Sequence, residues 1–303
     1  MSSQGQLIKF ANCDINTISD GDEFKDYLKS LRAQEVDVIT LQNVTTAVCR
    51  LRLTECLDVG EGYTLYYCGK RSQRSVKYYK VGVLLNNAFK NDVKLKLINS
   101  RMLLISFKLN NGQIVSVVSF NIPKKIGKND MSFWFDFDKL FKIIGDEQLI
   151  LFGGEFYATL GVDNYGYEEQ HGGHGCGNCR NNNGENLLSS ALMFKLCIVN
   201  TFFQQQLHNA GHILVRDHQL KHITKFTERE YSSSSSINCK LILMEISMLS
   251  VNQQEQIQQQ QQQRQNFANL MSELVDVTLE ENLEEYITAV QEYLPIFTSI
   301  IKQ

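Results

Sequence analysis

Up to Ile246 the chain alternates short apolar runs with a few stretches of helical period, the pattern of an α/β protein. Leu7–Cys13 predicts a first strand. Over Asp22–Arg32, Phe24, Tyr27, Leu28 and Leu31 recur at helical spacing and predict a helix with one buried stripe. Val36–Leu41 predicts a second strand, entered directly from that helix. Tyr63–Cys68, Val81–Leu85, Arg101–Leu109 and Ile114–Phe120 predict four more strands, and Val93–Ile98 a fifth. Asn110-Asn111-Gly112 is a hairpin signal. No helix-length spacer separates these runs, which predicts antiparallel pairing in the middle of a mixed sheet. A helix over Ser132–Gly145 follows, with Phe133, Phe137, Leu140, Phe141 and Ile144 on one face. Leu149–Phe152 is a buried-type strand running into Gly153-Gly154. Leu187–Leu196 reads as a helix, Cys197–Phe203 as a strand and Lys240–Ile246 as the last strand.

The pattern breaks after residue 250, where residues 253–265 are nearly all glutamine. Polar tracts of this kind bury too little surface to fold alone. Beyond it, Phe267, Leu270, Met271 and Leu274 share a helical face. Thr278 with Glu281 resembles a capping box opening a second helix, striped by Leu279, Leu283, Tyr286, Ile287, Val290 and Tyr293. The expected organisation is therefore a folded domain over 1–250, a glutamine-rich linker over 251–265 and an amphipathic helical segment over 266–303. That last segment is either a packing face or the surface for a protein partner.

Composition narrows the function. Apolar residues make up 43 % and charged residues 21 %, enough for a sizeable core. The formal net charge of -3 argues against strong sequence-independent affinity for nucleic acid over the whole surface. A local exception is GKRSQRSVKYYK at 69–80, whose Lys70, Arg71, Arg74, Lys77 and Lys80 are interleaved with tyrosines, a composition suited to DNA or RNA. No apolar run has membrane-spanning length, and MSSQGQLIKF lacks the features of a signal peptide. Eight cysteines in such a chain are expected to be reduced thiols of an intracellular protein, nuclear or cytoplasmic. In HGGHGCGNC, at 171–179, His171, His174, Cys176 and Cys179 are candidate zinc ligands. All four crowd into one glycine-rich loop, without the distant second pair usual for zinc, so a solvent-exposed loop without zinc is expected.

ILFGGEFYATLG, the run GVDNYGYEEQHGGHGCGNCRNNNGENLL and LCIVNTFFQ together resemble the endonuclease domain of non-LTR retrotransposons and the craniofacial development protein 2-like group. KYYKVGVLLN and DVITLQNVT resemble two further strands of the same endonuclease/exonuclease/phosphatase superfamily. The likeness spans residues 6–246 and implies a two-sheet α/β sandwich flanked by helices. It also implies Mg²⁺-dependent hydrolysis of phosphodiesters, because a hard divalent ion held by oxygen ligands neutralises charge building on phosphate.

The resemblance carries over residue by residue, with departures. The first-strand asparagine falls on Asn12, with Asp14 two residues on. The family's metal-holding glutamate falls on Asn43, its tyrosine on Asn121, the aspartate of its GDFN on Glu155 and the asparagine on Tyr157. A late aspartate falls on Lys240, a reversal of sign. The final Asp-His pair has no counterpart after Ile246, and Asp217-His218 precedes the last strand in an apparent insertion. Any Mg²⁺ would rest on Asp14 and Glu155. The expectation is a domesticated, catalytically inactive derivative of such a domain that acts by binding. The alternative is a weak or altered metal-dependent phosphodiesterase acting on nucleic acid.

Overall fold

The computed structural model describes residues 6–15, 21–44, 54–71, 78–122, 131–145, 148–175, 177–203, 211–232 and 238–248. The glutamine-rich tract and residues 266–303 lie outside them, as do the helices expected there.

The strands are β1 (Gln6–Asp14), β2 (Val38–Gln42), β3 (Thr54–Gly60), β4 (Tyr63–Arg71), β5 (Tyr78–Asn86), β6 (Lys94–Asn99), β7 (Met102–Lys108), β8 (Ile114–Asn121), β9 (Leu149–Glu155), β10 (Leu196–Ile198), β11 (His212–Arg216), β12 (Ile223–Ser232) and β13 (Asn238–Met248). The helices are α1 (Gly21–Ala33), α2 (Met131–Leu140), α3 (Asn182–Met193) and the single turn α4 (Asp217–Leu220). One sheet runs β12-β13-β1-β2-β5-β4-β3 and the other β10-β11-β9-β8-β7-β6. Each contains one parallel pair, β1 with β2 and β8 with β9. Each such pair is joined through a helix, α1 or α2, as a parallel connection requires. The result is an α/β sandwich of two mixed sheets with flanking helices.

Strand periodicity explains the layering. Phe10, Val38, Val83 and Met244 of the first sheet meet Ile105, Val117, Leu151 and Ile213 of the second in a dry layer between the sheets. The intervening Ala11, Ile39, Leu84 and Leu243 point the other way, onto Phe24, Tyr27, Leu28 and Leu31 of α1. That is the stripe expected of this helix. On the far side of the second sheet, Val118, Phe120, Ile150 and Phe152 pack on Phe133, Phe137 and Leu140 of α2 and Leu187, Leu188 and Ala191 of α3. Phe120 makes edge-to-face contacts with Phe137 and Phe156, so this outer layer is largely aromatic.

Several sequence expectations need correction. The run Cys197–Phe203 is not one strand: β10 stops at Ile198, and Val199–Phe202 is a 3-10 turn. The Thr201 hydroxyl donates to the Ile198 carbonyl at 2.7 Å, a local bond that competes with the ladder. The third helix begins at Asn182 rather than Leu187, because the Asn181 side chain caps it by accepting from the Gly184 N–H. β3, β11 and β12 were not anticipated; the polar alternation of Ile223–Ser232 hides a strand. Asp217 and His218 form α4, between two ordered strands.

Candidate functional site

On five strands the inward face changes character at the same end of the sandwich. On β1, Ile8 and Phe10 lead to Asn12 and Asp14; on β2, Val38 leads to Thr40 and Gln42. On β8, Val115 and Val117 lead to Ser119 and Asn121; on β9, Leu149 and Leu151 lead to Gly153 and Glu155. On β13 the inward series Ile246, Met244, Ile242 reaches Lys240. The dry layer therefore ends in a polar cluster built from both sheets.

The cluster is closely hydrogen-bonded. The buried Asn12 Oδ1 accepts from Thr40 Oγ1 at 2.8 Å and from Gln42 Nε2 at 2.9 Å. Asn43 Nδ2 donates to Asp14 Oδ2 at 2.9 Å, and Asn121 Nδ2 donates to Asn43 Oδ1 at 3.0 Å. Both ends of the Asn43 amide are thus engaged, one from each sheet. Ser119 Oγ donates to the Leu41 carbonyl at 3.1 Å, a further stitch between the sheets. The Asn121 N–H donates to the Arg101 carbonyl at 3.0 Å, and Arg101 Nη1 approaches the Asn121 carbonyl at 3.5 Å. Close approach requires Gly153: a β-carbon there would collide with Thr40 Oγ1 of the facing sheet.

Glu155 is the chemically unusual member. Burial pushes its carboxyl up to about 7, the Tyr157 N–H holding it down, the Asp14 charge adding and Lys240 opposing. Its Oε1 accepts that N–H at 2.8 Å. The strand register explains the effect of Lys240, because Cys13 faces Leu241 and the antiparallel continuation brings Lys240 beside Asp14. Asn43 and Tyr157 have left-handed backbone, at φ 55° and 45°. Non-glycine residues held there carry strain of order 1 kcal/mol or more, and such strain concentrates at functional sites. Tyr157 is also tied to α3, its carbonyl accepting from Asn181 Nδ2 at 2.8 Å.

The structure therefore brings Asn12, Asp14, Asn43, Asn121, Glu155 and Lys240 into one cluster, with Tyr157 at its rim. Thr40, Gln42, Arg101 and Ser119 belong to it and were not anticipated. Close by, Asn200 Nδ2 donates to Glu228 Oε1 at 2.8 Å and to the Gly211 carbonyl at 3.2 Å, and a β-carbon on Gly211 would press on the Asn12 amide. The signal that finds these residues is the parity of each strand, not any motif.

The basic stretch lies at the same end. Lys70 and Arg71 pair with Tyr79 and Tyr78 at the end of the β4–β5 hairpin, and Lys80 with Gly69. Val81 pairs with both Cys68 and Gln42, which places the hairpin end beside the cluster. Arg74 and Lys77 lie outside the described residues.

The glycine-rich loop differs from its expectation of solvent exposure. His171 is fully buried, its Nδ1 accepting from the Gly173 N–H at 3.1 Å. Burial lowers its affinity for a proton. The His174 N–H donates to the Thr201 carbonyl at 3.0 Å, and Asn164 Nδ2 to the His171 carbonyl at 2.9 Å, so the loop is packed onto the 3-10 turn. Cys179 is exposed, and Cys176 lies outside the described residues. Among the described residues no group of three or more His, Cys, Asp or Glu stands where it could hold a metal ion.

A divalent ion fits the polar cluster poorly. The cluster offers two carboxylates, one bonded to the Asn43 amide and the other accepting the Tyr157 N–H. A hard cation needs several oxygen ligands, and Lys240 places a positive charge beside the same carboxylates. No hydrolytic step through a metal follows from these residues.

No family model and no curated protein matches the sequence. Solved structures do match. The endonuclease domain of TRAS1, a telomere-specific non-LTR retrotransposon, superposes with a TM-score of 0.52 at 10 % identity, covering 80 % of this chain and 99 % of its own. The 3' phosphatase NExo from Neisseria, bound to a product DNA hairpin, gives 0.52 at 12 % identity, with 79 % and 99 % covered. D. rerio TDP2, complexed with a single-strand DNA product, gives 0.50 at 10 % identity, with 80 % and 100 % covered. At such identities the likeness establishes the fold, that of the endonuclease/exonuclease/phosphatase structures.

Proposed function

We propose that this chain is a nuclease-fold protein that has lost metal-dependent cleavage and acts by binding, with single-stranded or hairpin nucleic acid as its ligand. The carrying observation is the hydrogen-bonded series Asp14–Asn43–Asn121, which satisfies internally the groups that would otherwise face a cation. Lys240 beside Glu155 reinforces it, since a side-chain cation and a divalent ion compete for one carboxylate. Support for the ligand class comes from two neighbours, NExo and TDP2, described with DNA products, and from the basic hairpin end beside the cluster. Phosphate contacts there make binding salt-dependent.

The test pairs calorimetry with nicking. Mg²⁺ at millimolar concentration is expected to give no heat of binding, and supercoiled plasmid to stay intact at low salt. A labelled single strand is expected to bind, more weakly as salt rises. Nicking that disappears in Glu155→Ala overturns the loss of cleavage; absence of any nucleic-acid binding overturns the ligand class.

A second reading rests on Glu155 alone. A buried carboxyl poised near neutrality beside a lysine is a group suited to proton transfer, and it favours a weak, altered phosphodiesterase. That reading requires slow hydrolysis of an activated phosphodiester, with a pH profile breaking near 7 that Glu155→Gln abolishes.

A further inference from the structure

A second concave surface lies away from the polar cluster. It sits where the C-terminal turn of α2, the end of α3 and the β11–α4 junction meet, and encloses about 910 Å³. β11 separates the two places. His212 pairs with Gly154 near Glu155, whereas Arg216, four residues on along the strand, lines the groove. At about 3.3 Å per residue they stand roughly 13 Å apart.

The groove has an aromatic floor and a basic rim. Phe141 and Phe194 stack with centroids 4.0 Å apart and planes 9° from parallel. The Arg216 guanidinium lies 5.2 Å from the Phe141 centroid and donates to the Phe194 carbonyl at 2.7 Å, which fixes the floor rigidly. Phe135 and Met193 flank it, 64 % and 68 % exposed. Large apolar side chains left open beside a cavity mark an interaction site rather than ordinary surface. Lys139, Lys142, Lys195 and Arg216 stand around it against Asp138 and Asp217. Lys139 is paired with Asp136 at 3.5 Å over the Phe135 ring and Asp217 meets His218 at 3.3 Å, while Lys142 and Lys195 have no ion-pair partner among the described residues. In a chain of net charge -3 this is a local excess of positive charge over an apolar floor.

We infer that this groove is the docking site for an acidic amphipathic helix of a partner protein. Apolar residues at helical spacing would lie on Phe141, Phe194 and Met193, and carboxylates on the flanking turns would meet Lys142 and Lys195. Charge complementarity selects the occupant. A basic helix would face two uncompensated lysines, and a nucleic acid would leave the exposed apolar side chains without a counterpart. Docking here leaves the polar cluster and the basic hairpin accessible, so the two binding activities are compatible.

The test uses the full chain and fluorescence anisotropy. The probe is a labelled helical peptide of Leu, Phe and Glu, with its apolar residues at positions i, i+3, i+4 and i+7. Comparators are the same composition scrambled, a version with Lys for every Glu, and a single-stranded oligonucleotide. The acidic helix is expected to bind, and binding to weaken roughly tenfold or more in Met193→Glu and in the pair Lys142→Glu, Lys195→Glu, the scale of losing a central anchor. These side chains are on the surface, so an unchanged circular dichroism spectrum and melting midpoint show that the loss is local. Binding is also expected to fall as salt rises. The inference is overturned if the scrambled or Lys peptide binds as well as the acidic helix, if the oligonucleotide displaces it, or if both variants bind normally. It is equally overturned if the wild-type chain self-associates in sedimentation and Met193→Glu makes it monomeric, because a second copy then covers this face.

Discussion

Three residues of β9, each two apart and all facing the opposite sheet, contrast the two ends of the sandwich. Leu151 sits in the dry layer, Gly153 where the sheets come closest, and Glu155 in the polar cluster. At the dry end stability comes from area removed from water and is indifferent to pH. At the polar end it comes from paired amides and hydroxyls, and one carboxyl is held there against its own preference. The same backbone thus supports a region selected for packing and a region that tolerates electrostatic strain. Such strain concentrates at functional sites.

Substitutions along β9 and its neighbours test the contrast. The largest effect is expected from Leu151→Ala, at about 3–4 kcal/mol of unfolding free energy by urea titration, because the cavity lies between two sheets that cannot collapse onto it. A cost near 1 kcal/mol would mean the layer is less tightly packed than its burial implies. Next is Gly153→Ala, at about 3 kcal/mol from overpacking against Thr40. The double variant with Thr40→Ala should recover part of that loss, giving a coupling energy of about 1 kcal/mol or more.

Glu155→Gln should act in the opposite direction and only at high pH. The folded-state carboxyl titrates near 7 against an ordinary 4.5, so the native chain holds the proton more tightly than the unfolded chain. Stability is then fully present below 4.5 and is lost as pH rises through 7. The amide, which cannot ionise, should therefore be the more stable protein at pH 8, by about 3 kcal/mol, and indistinguishable near pH 4. Equal stability at pH 8 would place Glu155 in a better-solvated setting than its neighbours allow. The smallest effect, about 1 kcal/mol, is expected of Ser119→Ala, which removes one buried hydrogen bond to the Leu41 carbonyl.

What was legible in the sequence divides along the same line. α1 and most strands of the dry layer follow from apolar periodicity, because burial imposes the period directly. β11 and β12 escaped notice for different reasons. β11 offers only the three-residue apolar run Ile213–Val215 between His212 and Arg216, and β12 carries the alternation Thr-Glu-Arg-Glu, which reads as a loop unless its pairing with β13 is known. Asn12, Asp14, Asn43, Asn121, Glu155 and Lys240 were legible through resemblance, and the structure assembles them. Their bonding was not legible, since nothing in LQNVT or FNIP shows that Asn43 and Asn121 meet across the two sheets. The burial of His171 was hidden in the same way: a glycine-rich loop reads as exposed, yet these glycines let it pack closely against the 3-10 turn.

One strand also governs how the chain comes together in time. β1 is flanked by β2, close to it in sequence, and by β13, which pairs Gln6 with Met248 at the far end of the described chain. By contact order, closure of that longest contact is expected late in folding, with one edge of β1 bare until β13 has emerged. Until then the nascent sheet presents unpaired N–H and C=O groups of the kind that template aggregation. A message truncated before the codons of β13 would therefore leave β12 without its partner and β1 as a bare edge, and its product is expected to be a substrate for degradation rather than a shorter working protein.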